Sequence, residues 1–137
     1  MDTYEGGWQT VLPGGGFASA YGGADMGLHA EVNTVPWDCV ILEDTVDCVS
    51  VKFSVRTRRT PFFFEKTLTL ESGSSRLKID QRLVNEGEEA VHCVWGEHIA
   101  IGAPFLSDKC VIDLPGGLIR NHHVGFHDNN RLEEGHE

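Results

Sequence analysis

The sequence predicts an all-β protein, an antiparallel β-sandwich, and three observations carry that prediction. The clearest is a period of two: Val49, Val51, Phe53 and Val55 alternate with Ser50, Lys52, Ser54 and Arg56, the pattern of a strand with one buried face. The second is the character of the breaks. Glu43-Asp44 with Asp47, Glu71-Ser72-Gly73-Ser74-Ser75 and Asn85-Glu86-Gly87-Glu88-Glu89 are polar connections of hairpin length, two of them bearing glycine. The third is that no window sustains an i, i+3, i+4, i+7 apolar stripe with helix caps.

Taken in order, Trp8 to Leu12 reads as a short strand. Residues 13–27 follow as a long glycine-rich loop, and loops of this length are functional or mobile in most proteins. This loop lacks the Gly-Lys-Ser/Thr ending of a phosphate loop. Val35 to Leu42 is the next strand, and the run around Val49 to Val55 the one after it. Phe62, Phe64, Leu68 and Leu70 share one parity in a segment rich in aromatic residues and threonine. Leu77, Ile79 and Leu83 share a parity opposite Arg76, Lys78, Asp80 and Arg82. Ala90 to Ile101 and Cys110 to Leu114 complete about seven strands, joined as a meander because short turns make antiparallel neighbours. The pattern assigns residues 1–120 to a partial sandwich domain and 121–137 to a polar tail with His122, His123, His127 and His136. That tail admits two readings, a solvated terminus or a metal cluster, and its spacing matches no known ligand signature.

Composition narrows the function classes. The 137 residues hold 40% hydrophobic and 23% charged side chains, an ordinary globular balance that fits one domain or a piece of one. Eleven Lys and Arg against 21 Asp and Glu give a net charge of −10, which phosphate backbones repel, so nucleic acid is not the expected partner. Apolar runs stay short of the roughly 18 residues of a membrane span. The first 25 residues lack the order of a secretory signal, so the expected location is the cytoplasm. Cys39, Cys48, Cys93 and Cys110 form no C-x-x-C pair. Free buried thiols in a reducing compartment are the leading reading, with disulfides or a zinc site as alternatives.

Two histidines stand out by context. His29 follows the glycine-rich segment in Gly27-Leu28-His29-Ala30-Glu31, and His98 ends Trp95-Gly96-Glu97-His98. In a regular strand His98 shares a face with Val94 and His92, while Glu97 shares the other with Trp95 and Cys93. Each histidine is either a satisfied structural residue or a proton donor near neutral pH. Trp8, Trp37 and Trp95 are core residues or platforms for the apolar face of a sugar ring, whose hydroxyls suit carboxylates and imidazoles.

Five segments in series carry a resemblance. They are Gly7-Trp8-Gln9 with Leu12-Pro13; Gly27-Leu28-His29-Ala30-Glu31 with Pro36-Trp37; Arg59-Thr60-Pro61-Phe62 with Glu65-Lys66-Thr67-Leu68; Asn85-Glu86-Gly87; and Trp95-Gly96-Glu97-His98 with Gly102-Ala103-Pro104-Phe105-Leu106. In order and spacing, from Trp8 to Leu114, the chain resembles the aldose 1-epimerase (galactose mutarotase-like) family, most nearly its uncharacterised bacterial branch. The resemblance implies part of a large antiparallel supersandwich that binds a hexose and needs no cofactor or metal. It implies that His98 is the acid that protonates the sugar ring oxygen and His29 the second catalytic histidine. By the same resemblance Glu31, Trp37, Trp95 and Glu97 are expected to contact substrate.

The chain departs from the family pattern in three respects, one of them the absence of the upstream strands that carry a substrate-contacting arginine in the family. Ala30 stands where the family commonly has glycine. No glutamate in a strand pattern occupies the place of the family's C-terminal catalytic base, since Glu133, Glu134 and Glu137 lie in the polar tail. The chain therefore reads as the central part of such a domain. A half sandwich exposes edges and apolar faces, so a homodimer through those edges is an expected partner beside the sugar. Two alternatives stay open: a sugar-binding module without the base, and a cupin-like barrel with His29, Glu31 and His98 on a divalent ion.

Overall fold

The computed structural model describes residues 7–15 and 18–118. Among the described residues there is no helix, and the eight strands pair antiparallel. They are β1 (Trp8–Val11), β2 (Ser19–Tyr21), β3 (Ala24–Met26), β4 (Asp38–Asp44), β5 (Cys48–Arg56), β6 (Phe62–Glu71), β7 (Leu77–Asn85) and β8 (Gly96–Ile99). The all-β, sandwich-like prediction holds. Contacts divide the chain into two units, residues 1–101 and 102–137.

The main sheet is the meander β4-β5-β6-β7. Its register puts Val55 opposite Phe64 and Phe64 opposite Leu83, while Val51, Leu68 and Ile79 align lower down. Directly opposed residues share a face, so the apolar parity read from the sequence becomes one continuous inner face. The opposite face carries Ser54, Glu65 and Arg82, aligned across the same three strands. In β4 a register shift between Ile41 and Glu43 marks a β-bulge. The bulge re-aims the strand end, so Asp44 faces Val49 across the ladder.

A two-stranded ribbon, β1 paired with β8, carries the second set of inward side chains. Leu12 and Val32 are fully buried and meet Phe64 and Val55 in the core, with Val35, Trp37 and Leu83 packed against it. The chain reaches Val32 by folding back on the end of β1. The Leu12 carbonyl accepts from the amides of Glu31 at 3.1 Å and Val32 at 3.3 Å.

Three expectations change. Residues 13–27 are not one loop, because β2 and β3 form a hairpin inside them. Its turn is Gly22-Gly23, with φ of 56° and 80°, the left-handed pair that a tight hairpin turn demands and that glycine adopts freely. Within Ala90 to Ile101 only Gly96–Ile99 is strand. Cys110 to Leu114 is not a strand: no strand among the described residues pairs with it, and Val111 and Ile112 are exposed. The described part of the second unit is instead built of turns, with Phe105 and Leu106 donating to the Gly102 carbonyl and Cys110 to that of Ser107.

The four cysteines are free thiols, as expected, but they are not buried. Cys39 sits on the edge strand, and Cys93 and Cys110 lie outside the strands. The histidines and glutamates of the 121–137 tail lie outside the described residues.

Candidate functional site

The ribbon β1–β8 has two faces with different chemistry. Its register sets Gln9 opposite His98 and Thr10 opposite Glu97, so His98 and Glu97 point to opposite sides, as the pleat requires.

On the first side, His29 joins His98. The ring centroids lie 4.9 Å apart with planes tilted by 38°, and His29 Nδ1 lies 3.0 Å from Gln9 Oε1. In that contact the ring Nδ1–H donates to the amide oxygen, which orients the His29 ring against β1. Neither ring sits in hydrocarbon: His29 is half-buried and His98 exposed. The backbone accounts for the meeting. His29 and Ala30 both have φ of 60°, and two consecutive left-handed residues turn the chain sharply after the Ala30 amide bonds the Gly27 carbonyl at 3.1 Å. Each such non-glycine residue costs about 1–2 kcal/mol, a strain held in place by the buried Leu12 and Val32 beside it. Position 30 is thus a place where glycine would sit unstrained.

On the second side, Glu97 gathers donors. Trp8 Nε1 lies 2.6 Å from its Oε2 and Thr10 Oγ1 lies 3.0 Å from its Oε1. Lys66 Nζ approaches at 3.1 Å, and Gln81 donates as well. The Lys66 and Glu97 side chains are only 13% and 18% exposed, so the ion pair works in a low dielectric where its loss is costly. Lys66 and Gln81 are partners across β6–β7 and occupy the apolar parity of their strands. The signal was present in the sequence: a lysine and a glutamine interrupt otherwise apolar alternations, and both interruptions point to one carboxylate. Gln9, paired with His98, carries no such signal.

Glu31 lies elsewhere. It is 6% exposed. Its Oε1 accepts from the backbone amides of Arg58 and Arg59, the latter at 2.7 Å, and its Oε2 from Thr60 Oγ1 at 3.2 Å. The carboxylate therefore closes the β5–β6 turn. With Glu31 so committed, His29, Glu31 and His98 are not a ligand set, and no group of three metal-binding side chains assembles among the described residues. The cupin-like alternative loses its basis.

Trp37 and Trp95 flank Phe64 edge-on, with centroids 5.6 and 5.8 Å away. Trp37 also bonds the Val32 carbonyl through Nε1 at 2.7 Å and, with Trp8, lines a cleft of about 360 Å³ between the ribbon and the sheet. Of the six residues expected at a site, the structure brings His29 and His98 together. It sets Glu97, Trp37 and Trp95 on the core side of the ribbon, and Glu31 in a turn.

Comparisons with protein-family models, with curated proteins and with solved structures each find no match. What defines this candidate site is therefore its own geometry, a solvent-reached imidazole pair braced by an amide on a two-stranded ribbon.

Proposed function

We propose that the protein is a carbohydrate-binding, aldose 1-epimerase-like protein whose His98 and His29 contact a hexose. The observation that supports this most is the 4.9 Å approach of the two rings, with Gln9 orienting His29. In this reading His98, as imidazolium, gives its proton to the ring oxygen as the C1–O5 bond breaks. The proton of the anomeric hydroxyl leaves to a base, C1 becomes an aldehyde carbon, rotation about C1–C2 exposes its other face, and closure reverses both transfers. Neither nearby glutamate is that base. Glu97 faces away from the histidines, and Glu31 is committed to the 57–60 turn.

That same placement favours a second reading, a module that holds the sugar without turning it over. Following optical rotation of freshly dissolved α-galactose or α-glucose separates the two. Interconversion above the buffer rate that His98→Asn abolishes supports the enzyme. Saturable binding without interconversion supports the module, and neither activity nor binding rejects both.

Cytoplasmic residence belongs to the same proposal and is supported by four unpaired cysteines. Self-association belongs to it too, supported by the half-exposed inner face and by an edge strand β4 exposed along its length. No helix among the described residues is long and apolar enough to cross a membrane.

A further inference from the structure

The cleft between the ribbon and the sheet is bounded by β1 and holds neither histidine in its lining, though Gln9, which bonds His29, borders it. Trp8, Trp37, Phe53 and Leu68, with Val32, give it aromatic and aliphatic walls, and Gln9, Thr10, Asn33 and Lys66 complete its lining. Its volume of about 360 Å³ falls in the range of small-molecule pockets. The two indoles offer only carbon surface, because the Trp8 N–H is bonded to Glu97 and the Trp37 N–H to the Val32 carbonyl. The Lys66 charge is balanced by Glu97 at 3.1 Å, so the cleft offers no net charge to a ligand. Among the described residues Asn33 Oδ1 is buried with no hydrogen-bond donor beside it, a condition that native structures rarely tolerate and that a ligand donor relieves.

We infer that this cleft is a binding site for a neutral, planar aromatic or heteroaromatic molecule carrying an N–H or O–H donor. The flat body lies against the tryptophans. The donor of the ligand meets the oxygen of the Asn33 amide in the lining. A charged ligand is disfavoured, since it would lose its hydration in an apolar cleft without gaining a counter-ion.

Indole and 1-methylindole test this directly, because they share a body and differ in the donor. Titrations are followed through the side-chain N–H signals of Trp8, Trp37 and Trp95 in nitrogen–proton spectra. Saturable shifts are expected at Trp8 and Trp37, with indole binding about tenfold more tightly than 1-methylindole, the worth of one hydrogen bond to an otherwise unmet oxygen. Asn33→Leu should erase that preference while both compounds still bind. The wild-type comparison needs no variant, so a misfolded Asn33→Leu leaves the test intact. Equal affinity for the two compounds, absence of saturation, or shifts led by Trp95 overturns the inference. Sugar binding at the histidine pair is read separately, through His98→Asn, so either result stands without the other.

Discussion

The two ends of the inner sheet face are both apolar and have opposite environments. At one end Val55 and Phe64 are 4% and 0% exposed, beneath Leu12, Val32 and Trp37. At the other, in the same strands and the same parity, Val49, Leu70 and Leu77 are 43%, 49% and 43% exposed. Alternation fixes which side chains share a face; it does not say what covers them. Among the described residues of the first unit the ribbon covers the first of these ends, and both polar clusters adjoin that ribbon. Burial there holds the ribbon register, and the register in turn places His98 opposite Gln9.

Substitutions at the two ends measure how unequal they are. Phe64→Ala should cost about 3–5 kcal/mol in urea unfolding, the range for deleting a fully buried aromatic ring. A loss below about 1 kcal/mol would show that the ribbon does not cap this end. Phe53→Asp, between the ends and lining the cleft, should also unfold the domain, because a carboxylate there has no cation beyond the already paired Lys66. A folded, soluble Phe53→Asp protein would mean the faces are reversed. Lys66→Met should cost about 2 kcal/mol, less than a fully buried pair because water reaches both groups. It should also broaden the His98 signals as the ribbon loosens. Leu70→Ser should change stability by less than about 1 kcal/mol yet weaken self-association in sedimentation if the uncovered end is the contact.

The smallest effect is electrostatic and belongs to the outer face. Hydrogen bonds from Arg82 and then Lys52 hold the Glu65 carboxyl below its ordinary value of 4.5, and Arg56 does the same for Glu86. A depressed folded value means that the stabilisation is complete above the ordinary value and is lost as pH falls through the folded one. Urea midpoints should therefore fall modestly on acidification below about 4.5, and Glu65→Gln should flatten part of that slope. An unchanged slope would assign the acid sensitivity to other groups.

How much of this could be read beforehand follows from the same contrast. Strands with clean alternation, such as Cys48–Arg56 and Leu77–Asn85, declare themselves because period two has a single structural reading. The β2–β3 hairpin hides in a glycine-rich segment, since three-residue strands are too short to show a period. Cys110 to Leu114 misleads for the opposite reason: apolar residues alone do not make a strand when no backbone edge meets them. At the site, pleat counting separates Glu97 from His98 correctly. The commitment of Glu31 to a turn twenty-seven residues away, at Arg58, has no local trace. Lys66 and Gln81 could have been found by treating a polar residue at an apolar parity as a question about its partner.

The most direct test of the account is a sugar titration of protein with labelled histidine rings. The account predicts that the His29 and His98 signals shift together along one saturation curve, while that of His92, outside the strands, stays still. Independent curves for the two rings, or no movement at either, would contradict it.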